Sequence, residues 1–323
     1  MTLHRRDLLA LSLAAGILPT AAFAQGVAAP GWNPPERVPL WPGTPPGAPT
    51  PLPAPAPEIK RFPGQAPQLW MHGVAYPEIG VFRPARPDGR GVLVIPGGGY
   101  GFTSLTNEGV EVAAALGAMG ITSFVLSYRL PGEGWAHRED VPLADAQRAM
   151  RLIRAGARRY GVDPAQLGVL GFSAGGHLAG SLATLPGYAA YAPVDAADRL
   201  DARPAFCGLM YAVSTVNPGA SHGGTRANLL GPNPAPGAQA RYDVAHNIAR
   251  TTPPMFVCQA QDDGTVPFTN ALDLFAAARA ASVPVEAEFL TKGGHGFGTR
   301  LPASNPGSLW PQAFGRWVTE TLG

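Results

Sequence analysis

The sequence predicts an α/β fold: a mostly parallel central sheet flanked by helices, with a loop-rich insertion. Three observations carry this. From about residue 75 onward, short apolar runs alternate with longer helix-like runs. The short runs are apolar at almost every position, as in strands covered on both faces. Glycine clusters around 97–101, 171–176 and 293–298 sit just beyond predicted strands, where the chain must bend sharply.

The elements follow in order. Strands are predicted at Ile79–Phe82, Gly91–Ile95, Thr122–Ser127, Leu167–Gly171, Ala205–Val213, Met255–Gln259 and Val285–Leu290. Helices are predicted at Asn107–Ala118, Val141–Tyr160, Ala174–Leu185, Phe268–Ala281 and Leu309–Leu322. The second helix places Ala146, Ala149, Met150, Ile153 and Ala157 on one face, a 3.6-residue period. Residues 214–250, rich in Gly, Pro and Asn, interrupt the rhythm and read as an insertion beside the sheet. No internal repeat is found.

Ahead of this domain, 75–323, stand two segments of different character. Residues 1–24 join Arg5-Arg6 to a mildly apolar run from Leu8 to Leu18 and an Ala22-Phe23-Ala24 cleavage site. A positive end, a short apolar stretch and a small-x-small site make a signal peptide. The run is shorter than the ~20 residues of a membrane span. Paired arginines ahead of a weakly apolar run look like the twin-arginine signal that exports folded proteins. The mature chain is expected to begin at Gln25, without a membrane anchor, in the periplasm or outside the cell. Residues 25–74 form a Pro-rich N-terminal arm, with twelve of the 36 prolines between residues 30 and 57. Pro at every second position from Pro51 to Pro57 excludes a helix or a central strand, so a surface arm with no catalytic part is expected.

Composition excludes several classes. Gly and Pro, 41 and 36 of 323 residues, are abundant but lack the strict three-residue period of collagen. With 46% hydrophobic residues the chain is too apolar for a disordered protein, and it carries no heptads. A formal charge of +2, with no basic run, argues against nucleic acid as a partner. Cys207 and Cys258, the two cysteines, lie in apolar strand-like runs and are expected as buried free thiols rather than a disulfide framework.

The chemistry centres on Gly171-Phe172-Ser173-Ala174-Gly175, a G-x-S-x-G motif. Ser173 ends an apolar strand and opens a helix, so the chain turns sharply there and lifts the hydroxyl over the positive end of the helix. A second match, around Ser221, has Pro218 and two further glycines around it and no helix behind it, and reads as chance. A serine hydroxyl needs a base, and the base needs a carboxylate to orient it. In this architecture they follow in the order Ser, Asp, His, each after a later strand. His295, in the glycine-rich loop after 285–290, is the candidate base. Asp262 and Asp263 both follow 255–259; neighbours at a strand end face opposite ways, and Asp263, three before Val266, is favoured with Asp262 as alternative. Carbonyl attack also requires backbone donors for the oxyanion. Pro96-Gly97-Gly98-Gly99-Tyr100 supplies a curled loop, so Gly98, Gly99 and Ala174 are the candidate donors. No cofactor or metal is expected, since no H-E-x-x-H, C-x-x-C, Walker or dinucleotide glycine pattern occurs.

The segments IPGGGY, SYRL (127–130), PLADAQRAMRLIRA (142–155), YGVDPAQLGVLGFSAGGHLA (160–179), NLLG (228–231), QAQDDGTVPF (259–268) and KGGHGFG (292–298) occur in this order. Together they resemble exported α/β-hydrolases of the bacterial acetyl esterase group, which includes acetyl xylan esterase-like and feruloyl esterase-like carbohydrate esterases. The resemblance implies an α/β-hydrolase fold, Ser173 as nucleophile, Asp263 as acid, His295 as base, and Gly98, Gly99 and Ala174 at the oxyanion. It implies a secreted serine esterase acting on short acyl esters, acetyl above all, of hemicellulose-type carbohydrates. A peptidase or lactone hydrolase on the same fold, and a non-catalytic carbohydrate-binding homologue, are the alternatives. Residues 187–203 and 232–246 match no part of the pattern, and substrate contacts are expected there.

Overall fold

Eight strands form the central sheet of the computed structural model, which describes residues 31–323; the predicted signal peptide lies outside the described residues. In chain order the strands are β1 (Glu36–Pro39), β2 (Ala56–Lys60), β3 (Gln68–His72), β4 (Glu78–Phe82), β5 (Gly89–Ile95), β6 (Thr103–Ser104), β7 (Thr122–Ser127), β8 (Val162–Phe172), β9 (Cys207–Met210), β10 (Met255–Ala260) and β11 (Val285–Leu290). The helices are α1 (Glu111–Gly117), α2 (Val141–Ala155), α3 (Ala157–Tyr160), α4 (Ala174–Thr184), α5 (Gly223–Leu230), α6 (Ala238–Arg241), α7 (Val244–Asn247), α8 (Thr269–Ala280) and α9 (Trp310–Leu322). The sheet order is β1-β4-β7-β5-β8-β9-β10-β11, and β2-β3-β6 make a separate small sheet. Only the β1–β4 and β4–β7 pairings are antiparallel; the rest of the large sheet is parallel.

Period-two alternation assigns the two faces. In β5 and β8, Leu93, Ile95, Leu167 and Val169 point toward the layer holding α2, α4 and α8. Val92, Val94, Leu170 and Phe172 point toward α1 and α9. Both layers are closed, which explains why these strands read as unbroken apolar runs. Cys207 and Cys258 are buried as free thiols within them.

Most predicted elements are present, with shifted ends. The helix predicted over Val141–Tyr160 breaks at Gly156, where a Cβ would fall 2.6 Å from the Tyr160 ring. The helix predicted from Asn107 begins as a π-turn, Thr106–Val110, before α1. The insertion carries three short helices, α5 to α7.

The Pro-rich segment departs from its expected character. Residues 36–39 form the edge strand of the central sheet, and Trp32, Leu40 and Trp41 are buried. Trp32 Nε1 donates to Glu78 Oε1 at 2.7 Å, and Trp41 Nε1 donates to Asp145 Oδ1 at 2.8 Å. Arg129 donates to the Pro46 carbonyl at 2.7 Å. A boundary at residue 75 therefore cuts through packed structure, and the described part of the arm is integral to the domain. Proline is accommodated because β1 and β2 are edge strands, whose outward N–H groups need no ladder partner. Trp32→Ala is expected to cost about 3–5 kcal/mol of stability, read by urea unfolding; a cost within 0.5 kcal/mol, as roughly expected for an exposed surface position, would contradict this packing.

Among the described residues no helix is long and apolar enough to cross a membrane.

Candidate active site

The parallel register brings the glycine-rich loop after β5 beside the turn after β8. Ile95 pairs with Gly171, so Gly97 lies against Ser173 two residues further on. A Cβ on Gly97 would meet Phe172 O at 2.7 Å and Ser173 Cβ at 2.9 Å. β10 and β11 pair as far as Ala260 and Leu290, which places the loops carrying Asp263 and His295 next to each other. All four segments emerge at the carboxyl ends of parallel strands, where open α/β sheets bind ligands.

Ser173 occupies the turn between β8 and α4 with φ 52° and ψ −119°, a strained conformation for a residue with a side chain. Its flanking glycines are dictated by close approach. A Cβ on Gly171 would fall 2.2 Å from the Gly175 carbonyl, and one on Gly175 would fall 2.3 Å from the Ile95 carbonyl. The Ser173 N–H donates to Met210 O at 2.9 Å, tying the turn to β9.

The structure brings together Ser173, His295 and Asp263. Ser173 Oγ lies 2.9 Å from His295 Nε2, and His295 Nδ1 lies 2.8 Å from Asp263 Oδ2. A carboxylate only accepts, so Nδ1 donates to it and Nε2 is left to accept from the serine hydroxyl. The Asp263 side chain is fully buried, and the imidazole remains 18% exposed toward the cavity. Asp263 is itself held: Thr265 N–H and Val266 N–H donate to Oδ1 at 2.8 and 2.9 Å, and Gln259 Nε2 donates to Oδ2 at 3.2 Å. Asp262 points the other way. Its Oδ1 accepts from Gly293 N–H and Gly294 N–H, each at 2.8 Å, and clamps the loop that carries His295. The Gly294 and Gly293 bonds hold its carboxyl below the usual carboxylate range.

Gly98 and Gly99 have φ of 128° and 60°, the region that favours glycine. A Cβ on Gly98 would fall 2.0 Å from Phe102 O. Among the described residues, the N–H groups of Gly98, Gly99 and Ala174 have no acceptor, and Gly98, Gly99 and Ser173 line one cavity. The loop is pinned from below by Tyr128 OH, which donates to Pro96 O at 2.9 Å. His177 is buried behind it, 2.9 Å from Tyr100 OH and 2.7 Å from Tyr242 O, as a packing residue.

Sequence reasoning passed over several groups here. Glu108 is buried directly beneath the loop, accepting from Gly97 N–H at 2.8 Å through Oε2 and from Tyr211 OH at 2.8 Å through Oε1. Tyr211 OH in turn accepts from Gly298 N–H at 3.0 Å, and its ring stands edge-on to His295. One carboxyl thus joins the Gly97–Gly99 loop, through Tyr211, to the histidine loop. Burial pushes it above the usual range, against the Tyr211 and Gly97 bonds. A glutamate at the start of a predicted helix reads as an ordinary exposed first-turn acid, and only the tertiary register carries it under Gly97. Asn107 Nδ2 also holds the histidine loop, donating to Gly296 O at 2.7 Å, and Asn228 Nδ2 fixes Gly99 O at 2.8 Å. Glu108→Gln turns an amide NH₂ toward one of two donors and leaves one bond unmade. Its kcat is expected to fall about tenfold or more at little-changed KM on an aryl acetate; unaltered kcat would remove Glu108 from the positioning role.

The cavity is about 710 Å³. The segments expected to contact substrate, 187–203 and 232–246, contribute nothing to its lining. Residues 188–198 instead brace α2: Asp195 and Asp198 pair with Arg148, and Tyr188 O accepts from Gln147 at 2.7 Å. Their place on the wall is taken by residues of the Pro-rich segment, Phe62 to His72, and by His222 to Asn228 from the insertion.

A mostly parallel eight-stranded sheet, helices on both faces and a serine on a strand–helix turn define an α/β-hydrolase. The BD-FAE family model matches residues 81–277, more than half of the chain. The chain belongs to that family. It is 32% identical over 222 residues to an acetylxylan esterase of Xylanibacter ruminicola, covering 67% of this chain and 43% of that protein. It is 33% identical over 205 residues to endo-1,4-beta-xylanase B of Butyrivibrio fibrisolvens, covering 64% and 32% respectively. The chain thus spans less than half the length of these curated relatives. Among solved structures, an acetyl ester-xyloside bifunctional hydrolase from Caldicellulosiruptor lactoaceticus superposes with a TM-score of 0.69 at 29% identity, covering 90% of this chain and 98% of that one.

Proposed function

We propose that this protein is a serine carboxylic ester hydrolase that removes short acyl groups, acetyl first among them, from hemicellulose-type carbohydrates. The observation that carries the reading is the single imidazole set 2.9 Å from Ser173 Oγ and 2.8 Å from Asp263. Its similarity to an acetylxylan esterase and to an acetyl ester-xyloside hydrolase supports the ester and sugar parts.

In this reading His295 Nε2 takes the Ser173 proton as Oγ bonds to the ester carbonyl carbon. The N–H groups of Gly98, Gly99 and Ala174 receive the oxyanion. The tetrahedral intermediate collapses with cleavage of the C–O bond, and the departing alcohol takes the proton from His295. Water, deprotonated by the same imidazole, then attacks the acyl-serine and releases the acid. Asp263 keeps the imidazole in the productive tautomer and stabilises its charged form. Arg5-Arg6 ahead of a mildly apolar run supports export, with the activity in the periplasm or outside the cell.

The test is a substrate panel of acetylated xylan, feruloylated sugars, aryl acetates, lactones and dipeptide amides. Release of acetate from xylan with the highest kcat/KM is the expected result. Preference for the amides or lactones would move the protein to another reaction class, and absence of turnover on all of them would favour a binding role.

A further inference from the structure

We propose that the β2–β3 hairpin, with Phe102 from the loop before β6, is a sugar-recognition wall of this cavity, in which Phe62, Trp70 and Phe102 form an aromatic stack for the alcohol half of the substrate. The proposal rests on the ester hydrolase reading above and names what holds the sugar.

The hairpin lies outside residues 81–277, the part matched by the family model. It belongs to the small sheet β2-β3-β6, and β6 directly continues the loop that holds Gly98 and Gly99. Trp70 and Phe102 stack with centroids 3.9 Å apart and planes at 13°, and Phe62 lies 6.1 Å from Trp70. Phe102 N–H donates to Gly98 O at 3.2 Å. Leu69 N–H and O are bonded to Thr106 Oγ1 and Leu105 N–H, each at 3.0 Å. The aromatic stack is therefore fixed in register with the candidate oxyanion donors by backbone bonds on both sides.

Size and chemistry then point to the occupant. A two-carbon acyl group fills a small part of 710 Å³, a volume in the range of sites for drug-sized ligands, so most of the space receives the alcohol. Among the described lining residues there is no Lys or Arg, and the only carboxyl is Glu108, whose two oxygens are occupied by Tyr211 and Gly97. The remaining lining groups are aromatic faces, amides such as Gln65 and Asn228, and imidazoles; burial and the neighbouring His295 depress the pKa of His222. Lys60 Nζ lies 4.9 Å from the Trp70 ring centroid and is paired with Glu58 at 2.7 Å. A wall of aromatic carbon with hydrogen-bonding edges suits a ligand with a C–H face and a rim of hydroxyls, which is a pyranose. The prolines that precede the hairpin connect it to β1 and keep that connection out of helix.

The experiment measures binding of unacetylated xylohexaose to the Ser173→Ala protein by calorimetry, so that it does not depend on turnover. Affinity is expected to fall about threefold in Phe62→Ala and about tenfold or more when Trp70→Ala is added, while Trp70→Phe retains most of it. Phe62 is 39% exposed, so its truncation leaves the core intact even where the Trp70 variant unfolds. Equal affinity in parent and Phe62→Ala, or no binding of xylohexaose to the parent, overturns the proposal. Failure of the esterase reading shows separately, as undiminished aryl acetate turnover in Ser173→Ala.

Discussion

Ser173→Ala is expected to lower kcat on a short aryl ester by about 10⁴-fold or more, with the fold retained. The substitution removes one oxygen. It leaves the strand–helix turn, its Met210 anchor and the His295–Asp263 bond in place. The loss is large because each remaining part acts through the serine. The imidazole has no proton to accept, and the N–H groups of Gly98, Gly99 and Ala174 have only a water-derived oxyanion to stabilise. The residual rate reports what binding and those donors contribute on their own. Steady-state kinetics with a matched unfolding curve measures both. Turnover within tenfold of the parent would remove Ser173 from the chemistry.

The second large effect separates two adjacent aspartates. Asp263→Asn preserves shape but presents an amide to His295 Nδ1, favouring the tautomer with its proton on Nε2, which cannot accept from Ser173; kcat is expected to fall about 10⁴-fold. Asp262→Asn keeps a carbonyl oxygen that still accepts from Gly293 and Gly294, so a loss of about tenfold or less is expected, seen as a looser histidine loop. The order of the two losses is the diagnostic quantity. A larger loss in Asp262→Asn would exchange their roles.

The parts legible in the sequence are those whose chemistry is local. A strained turn at Ser173 needs glycine on both sides, and those glycines are visible as a motif because backbone atoms would otherwise overlap. The loop at 96–100 is legible for the same reason, since Gly98 and Gly99 sit at positive φ. The apolar strands of the centre are legible because both their faces are covered. What escaped the sequence is what depends on register between distant segments. Glu108 lies 11 residues after Gly97 in the chain, yet whether it points to solvent or to that N–H is settled by how the π-turn packs on β5. Tyr211 lies within the strand predicted over Ala205–Val213 and reads as core, while its hydroxyl, just past the end of β9, joins two loops.

The Pro-rich segment misleads for a related reason. Proline forbids helix and central strand, which is easily taken for exclusion from the domain, but edge strands tolerate it, and β1 and β2 are both edges. The unmatched segments at 187–203 and 232–246 misled in the opposite direction. Unfamiliar sequence suggested substrate contact, whereas the Asp195 and Asp198 pairing with Arg148 shows the first of them bracing α2.

Labelling with a fluorophosphonate, followed by peptide mapping, tests the central claim most directly, because the reagent forms a stable bond only with an activated serine. One adduct per chain is expected, on the peptide carrying Ser173, forming far more slowly when His295 is replaced by Ala. An unreactive chain, an adduct on Ser221, or labelling of Ser173 at the same rate without His295 would contradict the assignment.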